Sequence, residues 1–437
     1  MAILNMARNA VRSVWRKLPL DQAVRAKLVA LLPRTFRVPN RGVPPEMLDP
    51  SPPCQAVDDC FVFAVIDWHY RFQRPQHLAA ELVAAGRRVF YVSNNFIASR
   101  RSGFLVEQLD DDGRLYQVFL NLRGAPEIYF AMPTEAQQAQ LHEGMRSLLS
   151  WARTKGAISL IQHPFWANLA AMIPHAPMVY DCMDYHEGFG TFSHAMVAAE
   201  RALMARSDLV VVSSALLNER AAPYARRKIL IRNAADFAHF STTPGSAFRD
   251  PKGRRVLGYY GAIAAWFDVP LVEALARHCP GCLVVLIGHD QIRAKARLAE
   301  IENIALIGEI PYRDLPWYLH GFDVCILPFL VNDLTRATNP VKVYEYLSAG
   351  KTVVAVDLPE LRAFDNLVVA APHREFFLAA VDQALSNPAS AETIARRRTF
   401  AAGQTWAERG QRLNKALTDI PLRSGSVRTA ENAPARP

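Results

Sequence analysis

No stretch of this chain approaches the 18 or more consecutive apolar residues that cross a bilayer as a helix, and no short apolar run with a cleavage site marks export. Cysteine is scarce: six in 437 residues give no disulfide framework. Cys279-Pro-Gly-Cys282 has the spacing of a metal or redox pair. With no second pair and no histidine–cysteine cluster to complete a site, it is expected to be a turn between a helix and a strand, and no metal is expected. Neither half of the chain carries Gly-x-Gly-x-x-Gly after its first apolar run, and there is no Walker loop. Both absences argue against a dinucleotide dehydrogenase and a P-loop enzyme. What remains is 51% hydrophobic with a mean hydropathy near zero, as expected of a soluble globular protein in a reducing cytoplasm.

A net charge of +9 would suit a nucleic-acid partner if it were spread over the protein. It is concentrated instead. Residues 1–41 hold nine cations (Arg8, Arg12, Arg16, Lys17, Arg25, Lys27, Arg34, Arg37, Arg41) against one acid, Asp21. The remainder holds 41 basic and 40 acidic residues, so no nucleic-acid partner is expected. Within the basic arm, Val11, Val14, Trp15, Leu18, Leu20, Val24, Leu28, Leu31 and Leu32 alternate with the cations, as in two short amphipathic helices broken near Pro19. Such an arm either lies in the headgroup region of an anionic membrane or packs on the protein body, and amphipathicity alone leaves both open. Six prolines between residues 39 and 58 then mark a linker.

From residue 61 short apolar runs alternate with helical patterns. Strands are expected at 61–66, 88–93, 159–162, 178–182, 209–213 and 229–231, with a hairpin of 104–109 and 115–120 around Asp110-Asp-Asp-Gly113. Helices are expected at 75–85, 134–154, 194–206 and 214–224. The second half repeats the theme with strands at 256–260, 283–287, 304–307, 324–328, 352–356 and 367–371. A last helical segment, 391–417, would pack at the seam. Strands interleaved with helices imply parallel sheets covered on both faces. The expected α/β chain has a basic extension and linker (1–57), two Rossmann-like doubly wound domains (58–235 and 236–390) facing across a cleft, a seam helix (391–418) and a tail (419–437).

The most informative stretch is Asn339-Pro-Val-Lys-Val-Tyr-Glu-Tyr-Leu-Ser-Ala-Gly-Lys-Thr-Val-Val-Ala355. Asn339 can cap a helix, and Pro340 suits its first turn, where a missing N–H costs nothing. Gly350 stops the helix before a buried strand. The start of such a helix presents free N–H groups and a positive dipole end, a natural seat for a diphosphate. Lys342 adds a cation in the first turn. Glu345, three residues on, shares its face and is placed to accept hydrogen bonds from both hydroxyls of a ribose.

This stretch resembles the donor-binding segment of glycosyltransferases of the GT-B fold, in particular the large family 4 (glycosyl transferases group 1). The family pattern Pro-x-Lys-x-x-Glu-Tyr-Leu-Ala-x-Gly-x-Pro-Val-Val is matched from Pro340 to Val354, with Ser348 for the alanine and Thr352 for the second proline. Of the family's paired glutamates, Glu345 matches the second and the first falls on Ala337. The resemblance implies a retained nucleotide contact and a lost sugar contact. It assigns the second domain to a nucleoside-diphosphate-sugar donor, with Arg336, Thr338, Asn339, Lys342 and Glu345 around it and no obligatory cofactor. Gly258-Tyr-Tyr-Gly261 ends a strand where bare backbone lets phosphate approach, although the lysine that often follows this glycine in the family is missing. Gly308-Glu-Ile-Pro311 resembles the base-contact loop, with the backbone of Ile310 meeting the base.

In the first half, Asp67-Trp-His-Tyr-Arg-Phe-Gln-Arg-Pro-Gln-His77 resembles a loop found in a subset of these enzymes that build bacterial cell-surface polysaccharides. Arg71, Arg74 and His77 are expected to meet donor phosphates or an anionic acceptor, the alternative being that Arg74 and Gln76 brace the loop. Val179-Tyr-Asp-Cys-Met-Asp-Tyr-His186 ends another strand, and Asp184 and His186 are the expected catalytic groups, orienting the acceptor hydroxyl or receiving its proton. His163-Pro-Phe-Trp166 offers aromatic surface for a sugar or for the core. Together these features imply a retaining glycosyltransferase acting on a glycan or lipid-linked glycan at the inner face of the cytoplasmic membrane. A nucleotide-sugar epimerase of the same fold and a non-catalytic nucleotide-sugar-binding subunit are the alternatives.

Overall fold

A computed structural model describes residues 41–54 and 57–420. The amphipathic arm expected within residues 1–41 lies outside them except for Arg41, as does the tail beyond residue 420. Among the described residues no helix is long and apolar enough to cross a membrane.

The first sheet contains β1 (Asp59–Phe63), β2 (Val89–Val92), β3 (Phe104–Gln108), β4 (Leu115–Leu120), β5 (Ala157–Ile161), β6 (Met178–Cys182), β7 (Leu209–Val212) and β8 (Lys228–Leu230). Their order is β3-β4-β2-β1-β5-β6-β7-β8, parallel except for the β3/β4 hairpin at one edge. The second sheet contains β9 (Arg255–Tyr260), β10 (Cys282–Ile287), β11 (Ile304–Gly308), β12 (Val324–Leu327), β13 (Thr352–Val356) and β14 (Val369–Ala371). It is wholly parallel, in the order β11-β10-β9-β12-β13-β14. Parallel sheets need both faces covered, and the central strands show it: Val-Phe-Tyr-Val in β2, Leu-Val-Val-Val in β7 and Cys-Leu-Val-Val-Leu-Ile in β10 are buried at every position. Chain order reverses between β1 and β5 in one sheet and between β9 and β12 in the other. Ligands in such sheets bind beyond the carboxyl ends of the strands at these switch points, so the crevice lies there.

Two expectations shift. The 391–417 segment forms two helices, Ala391–Ala402 and Trp406–Thr418, because Gly403 ends the first and the Thr405 hydroxyl caps the second by accepting from the Glu408 N–H at 3.2 Å. The second of these crosses back onto the first domain, where Trp406, Leu413 and Leu417 join a core with β1 and the Arg74–Ala84 helix. Gly410 permits the approach, since a Cβ there would come within 2.2 Å of the Glu81 Cβ. The helix expected at 214–224 stops at Ala221, just before Ala222-Pro223, where the proline has no N–H to continue the helical ladder.

The helix of the 339–355 segment spans Val341–Ser348, so Pro340 stands at its cap and Asn339 does not cap it. The reason is tertiary. The Asn339 side-chain oxygen accepts from the Asn233 N–H (2.9 Å), its carbonyl accepts from Asn233 Nδ2 (2.7 Å), and its amide donates to Glu360 (2.9 Å). Glu360, buried at 2% exposure, also accepts from the Ala215 N–H (2.7 Å) and from Arg232 Nε (2.8 Å). One carboxylate thus ties three segments of the two domains together at the base of the crevice.

Candidate functional site

On the second domain the site begins at Gly261, which ends β9 with φ +140. A Cβ there would sit 1.9 Å from Lys342 Cε, so only glycine lets the lysine cross the strand end. Burial lowers the pKa of the Lys342 ammonium, the Glu345 charge raises it, and Arg71 across the crevice lowers it. Glu345 lies one turn into the Val341–Ser348 helix and is 7% exposed. Burial pushes its carboxyl up to about 7 against the opposing pull of Lys342. The hydroxyls of Tyr260 and Tyr312 are buried with no hydrogen-bond partner among the described residues, and the Glu345 charge reaches both. Tyr260 approaches Glu345 without completing a hydrogen bond. A buried carboxylate beside two unused hydroxyls is an incomplete polar cluster, and a guest with hydroxyl groups would complete it.

Around it, the Ile310 backbone forms no hydrogen bond among the described residues and is available to a base. Arg336 is exposed and makes no ion pair among them. The Thr338 hydroxyl donates to the Leu334 carbonyl at 2.9 Å and keeps its acceptor side. Asn339, by contrast, is 2% exposed and committed to the seam. Ala337 is 1% exposed and packs into the hydrophobic core of the first domain. The position of the absent glutamate is an interdomain apolar contact.

The loop after β1 is braced as its alternative reading had it. Gln76 donates to the carbonyls of Asp67 (3.1 Å), Trp68 (3.3 Å) and Arg71 (2.9 Å). Arg74, expected to meet phosphate, is 3% exposed and pairs with Asp181 at 2.8 Å while Nη1 donates to the Ile231 carbonyl at 2.9 Å. Its charge is neutralised inside the domain. His77 stacks on Trp406 with centroids 4.7 Å apart, and burial lowers its pKa to about 3. It is neutral and offers no charge to an anion. Arg71 does reach the crevice, where its Nε meets the Glu309 carboxylate at 2.6 Å.

On the opposite wall Asp184 is half-buried, and burial raises its carboxyl to about 6, with Arg74 lowering and Asp181 raising it. His186 stacks on Phe192 at 5.0 Å and is held down to about 4 by burial. Its ring lies 5.4 Å from that of His163, and the Nε2 of each is buried without a partner among the described residues. His163 Nδ1 accepts from the Phe165 N–H at 3.2 Å, which puts the proton on that free Nε2. The 333–336 turn closes over this wall: a Cβ on Gly188 would lie 3.1 Å from the Leu334 Cβ. Asp184 and His186 therefore sit together on one wall, while Glu345, Lys342 and Gly261 form the other. Sequence reasoning passes over Tyr260, Tyr312 and Glu309, and reads His163 within an aromatic surface for a sugar or for the core. Tyr260 lies inside the Gly258–Gly261 motif and Glu309 inside the Gly308–Pro311 loop, so proximity in sequence was the available signal.

Comparison with known proteins fits this arrangement. Residues 255–387 match the family model for Glycosyl transferases group 1. A putative teichuronic acid biosynthesis glycosyltransferase, TuaH, of Bacillus subtilis (strain 168) is 24% identical over 266 residues, covering 56% of this chain and 67% of that one. HepE of Anabaena, solved with UDP and glucose, superposes with a TM-score of 0.62 at 14% identity, covering 83% of this chain and 100% of HepE. Sucrose-phosphate synthase from Thermosynechococcus elongatus gives 0.61 at 13% identity, covering 83% and 98%. The fold is GT-B. The chain is a glycosyltransferase of that fold, with residues 255–387 similar to the glycosyl transferases group 1 family.

The raised carboxyl of Glu345 has a consequence for stability. Its pKa is higher in the folded chain than the ordinary 4.5, so the folded state binds more protons between about pH 4.5 and 7, and stability falls as pH rises through that window. Glu345→Gln is expected to stabilise the ligand-free protein at pH 8, by at most about 3 kcal/mol, and to have little effect at pH 4.5. Urea unfolding at the two pH values checks the difference.

Proposed function

We propose that the protein moves a sugar from a nucleoside-diphosphate-sugar to a glycan or lipid-linked glycan of the bacterial cell surface, with retention of anomeric configuration and without an obligatory cofactor. The observation that carries this reading is the buried Glu345 carboxylate, one turn behind a helix start, with Lys342 laid across Gly261 in front of it. The helix N–H groups, Lys342 and the exposed Arg336 stabilise the leaving diphosphate, while Glu345 takes the ribose hydroxyls and Ile310 the base. HepE, a protein of the same fold, is solved with UDP and glucose, and TuaH carries the description of a teichuronic acid glycosyltransferase. The first supports the donor class and the second the envelope setting. The domain limits proposed are 58–235 for the acceptor side and 236–390 for the donor side.

In the reaction the bond between the anomeric carbon and the diphosphate breaks as the acceptor oxygen bonds that carbon on the same face. The departing phosphate oxygen takes the acceptor proton. Asp184, ionised at neutral pH with a carboxyl near 6, orients the acceptor hydroxyl, and neutral His186 and His163 offer ring nitrogens to the sugars. The basic arm of residues 1–41, with its net +8, supports a peripheral contact with an anionic membrane.

A thermal-shift screen of UDP-, GDP-, TDP- and ADP-sugars identifies the donor, and release of nucleoside diphosphate in the presence of extracted glycolipid measures turnover. Asp184→Asn is expected to lower kcat by about 100-fold with the donor KM nearly unchanged. Activity of the wild type should fall on the acid side with a midpoint between about 6 and 7, where Asp184 and Glu345 take up protons. A donor that binds yet is never turned over with any glycolipid fraction would favour the non-catalytic binding subunit. Removing residues 1–41 should lower co-sedimentation with anionic vesicles, and equal sedimentation of both forms would rule out the membrane contact.

A further inference from the structure

We propose that His278, Cys279 and Asp382 form a zinc site at the end of the second domain opposite the crevice, with the fourth position left to solvent. Cys282 opens β10, whereas the donor site lies beyond the carboxyl ends of the same parallel strands, so the two sites are separated by the length of the sheet. The sequence offered only the Cys279-Pro-Gly-Cys282 pair, without further ligands. Folding supplies them. His278 is the last residue of the Val269–His278 helix, and Asp382 comes from the Arg374–Ser386 helix packed beside it.

A ring nitrogen of His278, the Cys279 thiol and a carboxylate oxygen of Asp382 all lie within 4.8 Å of one another. His278 Nε2 is 2.6 Å from Asp382 Oδ2, and Cys279 Sγ is 3.8 Å from Asp382 Oδ1. The Cys282 thiol is a close neighbour of Cys279, and the turn between them is closed by the Cys282 N–H on the Cys279 carbonyl at 3.0 Å. Tetrahedral zinc with bonds of about 2.0–2.3 Å sets its ligand atoms roughly 3.5 Å apart, a separation that the present spacings bracket. A histidine–aspartate pair alone would need no ion. The Cys279 thiol added to it makes a sulfur, nitrogen and oxygen donor set that suits zinc and not magnesium or calcium.

The turn is also held in advance. Asn303, 8% exposed, donates through one amide nitrogen to the carbonyls of Ala276 (2.8 Å), Cys279 (3.1 Å) and Cys282 (3.1 Å). Both cysteines are free thiols and are buried, while His278 and Asp382 stand open to solvent and give an ion its entry. Bound zinc would replace the proton between His278 and Asp382 and fasten the 374–386 helix to the end of the Val269–His278 helix and the turn that follows it. This site does not depend on the transferase reading.

The test uses the full-length chain, purified under reducing conditions, freed of metal with a chelator and titrated with cobalt(II) and zinc. One cobalt per chain with a thiolate charge-transfer band, displaced by one equivalent of zinc, is the expected result. Zinc should raise Tm of the chelator-treated protein, and magnesium should not. His278→Ala and Asp382→Asn, both at exposed positions, should each weaken zinc binding by about 10-fold or more while leaving the circular dichroism spectrum unchanged, and Cys279→Ser should remove the charge-transfer band. A wild type that shows no charge-transfer band and no stoichiometric zinc would overturn the site. So would mass mapping that finds Cys279 and Cys282 joined as a disulfide in protein prepared without oxidant.

Discussion

A carboxylate taken out of water must be matched by donors, and Glu345 is matched only in part. It lies 7% exposed at the base of the crevice, with one ammonium nearby and two tyrosine hydroxyls that make no hydrogen bond among the described residues. Burial of that kind is costly to a folded chain and is kept where a ligand makes it good. The surrounding features serve this point. Gly261 has no side chain because Lys342 must pass over it, and the helix begins at residue 341 so that its free N–H groups and the carboxylate one turn later share one approach. The near-neutral carboxyl means that ionisation of the site and arrival of its guest are linked: a hydroxyl-bearing ligand that prefers the ionised form will draw the proton off.

The site can have two walls only if the two sheets keep their relation, and a second buried carboxylate sees to that. Glu360 joins Arg232, Ala215 and Asn339, while Asn233 and Asn339 exchange hydrogen bonds beside it. The Trp406–Thr418 helix returns to the first domain and packs on the Arg74–Ala84 helix. Nearer the opening the contacts are lighter: the Arg71–Glu309 pair is partly exposed, and Phe189 touches Trp266 edge-on at 6.1 Å. A crevice tightly bound at its base and lightly closed at its mouth suits the entry and exit of a large donor.

The alternation of strands and helices was legible because parallel strands are apolar on both faces and their helices are not, so both sheets and the edge hairpin follow from local pattern. The donor segment was legible for a similar reason: Gly261 apart, its parts lie within a few residues of one another on one helix. What misled were residues whose partners are distant in the chain. Arg74 reads as a free cation until Asp181, 107 residues on, is brought beside it. His77 reads as a charged group until Trp406 stacks on it and burial holds it neutral. Asn339 reads as a helix cap until Asn233 and Glu360 claim its side chain. The same blindness hid Asp382, 104 residues from His278, and so left the cysteine pair looking incomplete. Charge and polarity are visible in a sequence, but whether a polar group is already satisfied is a property of the fold.

In the proposed site the ribose hydroxyls meet Glu345, and isothermal titration calorimetry addresses that contact directly. Whichever of UDP, GDP and ADP binds tightest is compared with its 2′,3′-dideoxy form at pH 8, in the wild type and in Glu345→Gln. The wild type is expected to bind the natural nucleotide at least about 10-fold more tightly, and the variant to lose most of that preference. A wild type that binds the two forms equally, or a variant that keeps the full preference, would contradict the assignment.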